Sequence, residues 1–459
     1  MNIRNYYTAV AVRLTKKKLL SAAFSMLLLC TYGFSSGQKK VTEIRFSGLE
    51  KTSAFVVESR LLHRKGEPFS EEIWLKEKNS LMDLDLFAEI SLETSETGEG
   101  TILHYKFTEL PRFIVFPAMK RTDQDGLLMG PGLTIMNLFG TGIHQEFLNR
   151  FTVAPVPLRA KEFLSYTAIP DVFGLAMTGE LTVNYFNSYN ALKEYRENSV
   201  YTVADVSFIL PHNFRIILSL SSLNVKHDPS ADPFNPDHTE IRMFYGDGDW
   251  DFLPSAGAGI VLDMRERLMN PHSGFYCEAR YNLYGEKLGG DSDFMEFTGD
   301  FRGFLPLGLK HIIHTSLLGR YRPGTVPAYE LYHVGGVNSL RTYMPDPGIC
   351  GQHEFLGTVE YRYELFTGRQ VSLLDLHAWY GLQLVAGMDN ALLWLPDRSL
   401  EQGEYLYSFY LGIHLLVPAL ERVRLEFGFN SLDIHEKSVR FGINLGWYEK
   451  SYTQRRRVR

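Results

Sequence analysis

Long apolar runs are missing from this 459-residue sequence once its first 37 residues are set aside. A membrane-spanning helix needs about 20 consecutive apolar residues, and the rest of the chain contains no such stretch. The sequence therefore excludes a helical membrane protein. It does not exclude a membrane β-barrel, because each barrel strand is only a segment of roughly ten residues with alternating hydrophobicity.

Cysteine is scarce, with three residues in the chain. Cys30 follows Leu29, where a lipid-modification signal requires a small residue, so we do not expect a lipoprotein. Cys277 and Cys350 could form one disulfide in an oxidising compartment, but they do not make a disulfide framework. We predict that both are free thiols.

A basic charge excess and catalytic motifs are also absent. The 53 acidic residues outnumber the 47 basic ones, and an acidic chain is a poor binder of nucleic acid. The 14 histidines are scattered, without the His pair and acid of a zinc site. Neither a Gly-x-Ser-x-Gly elbow nor a phosphate-binding loop occurs. We therefore expect a protein that is not an enzyme and that needs no metal or cofactor.

The first 37 residues have the pattern of a secretory signal. All the charged side chains of residues 1–18 are basic, an apolar run follows from Leu19 to Phe34, and small residues extend to Gly37, as a signal peptidase requires. The apolar run is too short for a spanning helix. We predict a cleavable signal peptide at residues 1–37 and export of the rest of the chain.

Residues 41–110 have the pattern of a small α/β domain. Thr52 can cap a helix that continues through Leu62, and Ser70 begins a second helix. The predicted strands are residues 41–46, 87–92 and 102–107. The predicted order of elements is β-α-α-β-β.

From Phe113 onward, apolar and polar residues alternate along successive segments. In residues 354–365, for example, Phe355 and Val359 share one face while Glu360 lies on the other. A half-buried soluble sheet also alternates. An almost uncharged apolar face, an exported chain and the lack of a helical segment as far as Trp447 favour a membrane barrel instead.

We predict a mainly β protein in which residues 113–448 form a transmembrane antiparallel barrel. Sixteen strands leave about 21 residues for each strand and its connection, whereas twelve would need long loops throughout. An even number returns the C-terminus to the periplasmic side, where the small domain lies. We expect the basic tail at residues 449–459 to be a solvated periplasmic segment.

Several segments resemble a known family. Residues 46–48 and 85–90 are similar to the strand ends of a polypeptide-transport-associated (POTRA) domain. Residues 132–142 resemble the Asn-Leu-Phe-Gly-small-Gly turn of the BamA/TamA family of outer-membrane assembly barrels, also called bacterial surface antigens. The matching positions are Asn137, Gly140 and Gly142, and we expect both glycines to take positive φ in a tight hairpin.

A second match lies in the middle of the barrel. Asp263, Arg265 and Glu266 resemble the family's Asp-x-Arg-Asp strand end, with glutamate in place of the second aspartate. Residues 271–274 follow as the family's Pro-x-x-Gly turn. The resemblance implies a strand that ends at a defined turn.

The most specific match is residues 335–343, which resemble the Gly-Gly-x-x-Ser-[Val/Ile]-Arg-Gly-[Tyr/Phe] tip of the family's sixth extracellular loop. This resemblance implies that the loop folds back into the lumen and anchors its arginine on acidic residues of the wall. Thr342 stands where the family has glycine, so the tight turn loses its glycine while the charge remains. The matching positions are Gly335, Gly336, Ser339, Arg341 and Tyr343.

The alternation of polar and apolar residues predicts the acidic partners of Arg341 independently of the resemblance. Asp389 shares a face with Gln383 and should point into the lumen, and Glu360 lies on the inner face of the preceding strand. Residues 388–394 also resemble the family's Phe-Asp-x-Gly-x-x-Trp strand, with alanine in place of the glycine. A guanidinium in a narrow lumen must be paired and suits carboxylates. We predict that Arg341 locks the loop on Asp389 or Glu360.

The resemblance implies insertion, assembly or translocation of polypeptides at the bacterial outer membrane. The expected partners are outer-membrane lipids, unfolded barrel or secreted clients that add a strand to the POTRA-like domain, and periplasmic accessory proteins. Weakly paired first and last barrel strands, residues 113–117 and 438–447, would offer an edge to an incoming strand. Two alternatives remain open. One is a passive channel or structural barrel without insertase activity, which the single POTRA-like domain and Thr342 favour, and the other is a surface adhesin.

Overall fold

The computed structural model divides the chain into two compact units, one of residues 1–50 and 60–110 and the other of residues 51–59 and 111–459. The predicted signal peptide and basic tail lie outside the residues that the structure describes. Among the described residues, no helix has the length and apolar character needed to cross a membrane. The described residues are 40–82, 84, 86–98, 100–122, 126–153, 160–169, 176–190, 195–227, 250–266, 270–335, 339–343, 349–373, 376–397, 403–416, 423–430 and 437–442.

The first five elements occur in the predicted β-α-α-β-β order. Their bounds are β1 Val41–Ser47, α1 Ala54–Glu58, α2 Glu71–Met82, β2 Phe87–Glu96 and β3 Thr101–Glu109. The strands form one sheet in the order β1-β3-β2, with β1 parallel and β2 antiparallel to the central strand. Leu81, Leu103 and Ile90 are buried beneath this sheet because apolar residues of α2 and the strands face one another.

The predicted cap and length of the first helix were wrong. The helix begins after Ser53, which makes no side-chain capping bond, and ends at Glu58. Leu62 lies beyond the helix and is exposed. The backbone amides of Leu62 and His63 instead donate to Glu77 Oε1, each across 2.6 Å, so a side chain of α2 takes the hydrogen bonds that a longer helix would have used.

Glu77 is the centre of a buried polar network in the first unit. Its Oε2 accepts from Tyr105 Oη at 2.7 Å and contacts His63 Nδ1 at 2.8 Å. His63 Nε2 accepts from the Ser70 amide at 3.2 Å. Burial, and next the hydrogen bond to Glu77, raise the pKa of Tyr105 well above its usual range. The network is satisfied by these bonds, as a buried carboxylate requires.

In the described residues of the second unit, sixteen strands form one antiparallel sheet, as predicted. Each strand pairs with its neighbours in sequence, except that the segment between β14 and β17 carries a separate two-stranded sheet, β15 Tyr332–His333 and β16 Cys350–Gly351. The edge strands β4 and β21 show no pairing with each other within the described residues. The sixteen are β4 Phe113–Thr122, β5 Gly126–Leu138, β6 Ile143–Thr152, β7 Ala160–Ile169, β8 Met177–Asn190, β9 Tyr195–Leu210, β10 Phe214–His227, β11 Asp251–Asp263, β12 Gly274–Gly285, β13 Asp293–Pro306, β14 His311–Tyr321, β17 His353–Leu373, β18 Leu376–Trp394, β19 Glu404–Leu416, β20 Val423–Asn430 and β21 Lys437–Gly442.

The two faces of the large sheet alternate as the sequence predicts. Along β12 the exposed residues Phe275 and Tyr281 alternate with the buried Glu278 and Arg280. Cys277 lies on the exposed face, and neither it nor Cys350 forms a disulfide in the described part of the chain, as predicted. Apolar side chains therefore cover the outer face, while charged side chains pair with one another on the inner face.

Candidate functional site

Loop six, residues 322–352, connects β14 to β17 and is closed at its base by the β15–β16 pair. Its tip begins with Gly335, which has a φ of 127°. Ser339 Oγ accepts from the Gly335 amide and donates to the Gly335 carbonyl, each across 2.9 Å. The motif serine thus fixes the start of the tip. Gly336 lies outside the described residues.

Arg341 is buried against four side chains of the inner face. Its Nη1 donates to Glu360 Oε2 at 2.7 Å and to Glu426 Oε1 at 2.9 Å. Its Nε lies 3.2 Å from Asp389 Oδ2, which also accepts from the Arg341 backbone amide at 3.3 Å. The guanidinium carbon lies 4.0 Å from the centre of the Tyr410 ring. The structure brings Arg341 together with both predicted partners and with two residues that the sequence did not single out.

The carboxylates around Arg341 are themselves held in place. Glu360 accepts from Tyr410 Oη at 2.8 Å and from Arg362 Nε at 2.6 Å. Asp389 Oδ1 accepts from Thr358 Oγ1 at 2.9 Å. Four adjacent strands, β17 to β20, therefore contribute to one network. Donors other than Arg341 also hold Glu360 and Asp389 in position.

Glu360, His414 and Glu426 carry potential metal-ligand atoms within 4.8 Å of one another. Arg341 Nη1 donates to both of these carboxylates, and His414 Nε2 lies 2.9 Å from Glu426 Oε1. The guanidinium therefore supplies the positive charge between the two acids. A metal ion at this place would have to displace it.

Thr342 stands where the resemblance expects glycine. Its φ is not positive, so the backbone here does not need the left-handed conformation that favours glycine. Its carbonyl accepts from Asn430 Nδ2 at 3.2 Å. A Cβ at Gly428 would lie 2.7 Å from Thr342 Cγ2. A glycine on β20 thus provides the space that the threonine methyl occupies.

Apolar contacts join the tip of loop six to the wall. A cluster of buried residues combines Leu340, Tyr343 and other loop residues with Ala391, Leu393 and Leu406. Tyr343 Oη also donates to the Tyr407 carbonyl at 3.3 Å. Burial of this surface stabilises the inserted loop in addition to the ion pairs.

The other family motifs form separate structures at turns of the sheet. Arg265 pairs with Asp263, with 2.6 Å between Nη2 and Oδ2, where β11 ends. In the β5–β6 turn, Gly140 and Gly142 have the expected positive φ of 75° and 78°. Asn137 Oδ1 accepts from the Gly142 amide at 2.7 Å. These residues do not contribute to the network of Arg341.

Two residues that sequence reasoning missed are central to the site. Glu426 lies on the inner face of a segment whose alternation was visible, but no motif marks it. Tyr410 has no neighbour in sequence that indicates an ion-pair network. Only the pairing of β19 with β18 and β20 places it beside Glu360.

Comparison with known proteins identifies similar folds. Residues 137–447 match the Omp85 superfamily domain. The chain is 31% identical over 97 residues to the outer membrane protein assembly factor BamA of Nitratidesulfovibrio vulgaris, a match that covers 21% of this chain and 12% of that protein. It thus spans only a small part of that relative's length.

Two solved structures share the fold across most of the chain. BamA from Haemophilus ducreyi lacking POTRA domains 1-3 is similar over 90% of this chain and 84% of that chain, with a TM-score of 0.58 and 16% identity. CdiB from Escherichia coli is similar over 89% of this chain and 76% of that chain, with a TM-score of 0.64 and 13% identity. At these identities the likeness concerns the barrel fold.

Proposed function

Because the chain belongs to the Omp85 superfamily of bacterial outer-membrane proteins, we propose that it assists the insertion, assembly or translocation of polypeptides at that membrane. The observation that carries the proposal is the open pairing of the sheet: β4 and β21 are its edges, and no pairing joins them in the described residues. A strand edge with free amides and carbonyls is a template for an incoming strand.

Strand pairing can supply the driving force without a nucleotide. A client strand gains backbone hydrogen bonds at the edge and buries its apolar face in lipid, where an unpaired backbone is costly. The proposed partners are lipids and unfolded client polypeptides. The proposed activity is non-enzymatic.

The small unit supports a role in client binding. In its sheet order β1-β3-β2, strand β2 pairs only with β3 among the described residues. An extended client segment can add to such an edge through main-chain hydrogen bonds. We propose that this unit is a POTRA-like domain and that β2 receives the client.

Photo-crosslinking tests this role of the small unit. A photoreactive residue at Ser91 or Ser95, both exposed on β2, is expected to capture an unfolded client. The matched control is the same residue at Glu72, exposed on α2. Equal capture at all three positions would reject β2 as the docking edge.

The contents of the lumen argue against a passive channel. Loop six folds inside the wall with Arg341 in the ion-pair network and Leu340 fully buried. A polar passage for solutes needs an open lumen. The burial of this tip therefore favours the assembly function over a permanently open channel.

Reconstitution in liposomes distinguishes the two functions. We expect the purified protein to accelerate folding of a client barrel while conducting few ions. An Arg341→Ala variant serves as a comparison, because the substitution breaks the ion-pair network of loop six and leaves both edge strands, β4 and β21, in place. Solute-sized conductance with no effect on client folding would support the channel and reject the assembly function.

A further inference from the structure

Strand β4, the first edge of the large sheet, contains a proline in its middle. Pro117 lies directly opposite Pro131 of β5 and is exposed. A proline has no backbone N–H, so it cannot donate a hydrogen bond to a neighbouring strand. The direction in which the missing N–H would point determines which side of β4 lacks a donor.

The hydrogen bonds of the β4–β5 ladder give this direction. The Met136 amide donates to the Arg112 carbonyl at 2.8 Å, and these two residues continue the register of the two strands. Hydrogen-bonded and non-hydrogen-bonded pairs alternate along an antiparallel ladder. Even-numbered residues of β4 therefore bond to β5, while the backbone groups of odd-numbered residues, Pro117 among them, point to the other side of the strand.

The pairing of β5 with β6 agrees with this assignment. The Val153 amide donates to the Leu127 carbonyl at 2.8 Å, so odd-numbered residues of β5, including Pro131, direct their backbone groups to β6. Within the described ladder, Pro131 has no partner on β6, although pairing continues on both sides of it. Pro131 thus interrupts a ladder inside the sheet, whereas Pro117 interrupts the row of donors along the free edge.

The free edge of β4 is apolar before Pro117. Phe113 and Val115 are 61% and 76% exposed, and their amides and carbonyls point to the side of β4 that no strand covers in the described residues. Beyond Pro117 the strand carries Lys120 and Arg121. The segment before Pro117 therefore offers both backbone donors and apolar side chains, which match a client strand that has one face in lipid.

We propose that Pro117 sets how far an incoming strand can pair with β4: the client strand pairs along residues 113–115 and stops at Pro117. A strand that continued past this point would place a carbonyl against a residue without a donor, and an unsatisfied carbonyl is costly in lipid. The short pairing holds the client while its own strands form and lets it leave afterwards. Pro117 is a specificity-determining residue, and this inference rests on the assembly function proposed above.

Disulfide trapping with the full-length protein in liposomes tests the position of this stop. In a Cys277→Ser, Cys350→Ser background, a cysteine replaces Val115 or Met119, which lie two residues before and after Pro117. The client is an unfolded eight-stranded outer-membrane barrel with one cysteine, placed in turn along its last strand. We expect Val115→Cys to trap the client several-fold more than Met119→Cys. Adding Pro117→Ala should make the two yields equal, because the alanine amide completes the row of donors.

Release of the client supplies a second readout. A short pulse of oxidant at successive times after mixing measures how much client is still paired at Val115→Cys. One hydrogen bond changes an equilibrium by about five-fold, so Pro117→Ala should slow the loss of trapped client by a similar factor. The matched control is Pro131→Ala, which restores a donor that faces β6 and should leave trapping and release unchanged.

Two results would overturn the stop at Pro117. One is equal trapping at Val115→Cys and Met119→Cys in the chain that keeps the proline, and the other is the same release rate with and without Pro117→Ala. Both leave the assembly function standing, because the client is still captured at the edge. Failure of that function gives a different result, since no variant would then trap the client at either position, and both proposals would be overturned together.

Discussion

Arg341 and Glu426 are separated by 85 residues in sequence, yet Arg341 Nη1 donates to Glu426 Oε1 across 2.9 Å. This bond joins loop six to β20, the neighbour of the edge strand β21. The tip of the loop is thereby connected to the part of the sheet where the proposed client edge lies. The contact links the position of one loop to the last strands of the barrel.

Arg341→Ala should destabilise the barrel because it leaves three buried carboxylates without their shared cation. Removing one partner of a buried ion pair costs about 3–5 kcal/mol. The measurement is the temperature at which the folded band disappears on a semi-native gel. Arg45→Ala, which breaks an exposed pair with Glu43, is the matched control and should leave this temperature unchanged. Equal melting of the Arg341 variant and the unmodified chain would contradict the lock.

Thr342→Gly should weaken the inserted tip even though it restores the family's residue. The backbone here does not need positive φ, so glycine adds freedom to the unfolded chain, at a cost of about 0.4–1 kcal/mol. It also removes the methyl group that lies beside Gly428. Faster hydrogen exchange in residues 339–343 is the expected result. Slower exchange would show that the threonine strains the turn.

Gly428→Ala should disturb the packing of β20 against Thr342 from the β20 side. A Cβ at this position would lie 2.0 Å from the Phe409 carbonyl oxygen and 2.7 Å from Thr342 Cγ2. Overpacking of a buried site costs typically about 1–3 kcal/mol. Gly299→Ala, where a Cβ meets nothing within 4 Å, is the control, and the two variants are compared by their melting on semi-native gels. Equal melting would contradict the close packing of β20 on the loop.

The stability of the first unit should fall at alkaline pH because of Tyr105. Burial first, and then the bond to Glu77, raise its folded pKa above the usual value, whereas the unfolded phenol titrates near about 10. This contribution is complete below the unfolded pKa and is lost as the pH rises toward the folded pKa. Urea unfolding followed by the fluorine NMR signal of labelled Trp74, which contacts Tyr105, measures the effect. Tyr105→Phe should remove it, and an unchanged slope in that variant would assign the pH dependence elsewhere.

Much of the barrel was predictable because strand periodicity is local. A period of two residues places Asp389 and Glu360 on the inner face from a few neighbours alone, and the structure has both buried there. The number of strands followed from length, since each spanning strand and its connection use a similar number of residues. The positive φ of Gly140 and Gly142 followed from their hairpin motif.

The remaining features depend on contacts that no local pattern reveals. Glu426 becomes a partner of Arg341 only because β20 pairs with β19 beside the inserted tip. Tyr332 contacts Arg320 and Arg322 through its ring, with their guanidinium carbons 4.2 Å and 4.1 Å from the ring centre, and no local pattern in the sequence reveals these contacts. The first helix is short because Glu77, on a later helix, binds the backbone of Leu62 and His63. In each case a tertiary partner decides the role of the residue.

Closing the seam, the gap between the edge strands β4 and β21, tests most directly the proposal that these edges receive a client strand. In a Cys277→Ser, Cys350→Ser background, cysteine pairs are placed at Phe113 or Val115 of β4 and at Val439 or Phe441 of β21. A control disulfide joins Ala279 and Gly299, which are already paired between β12 and β13. Client folding in liposomes is measured with each disulfide formed and then reduced. We expect a seam disulfide to abolish the acceleration of client folding reversibly while the control has no effect, and equal acceleration with the seam closed would contradict the account.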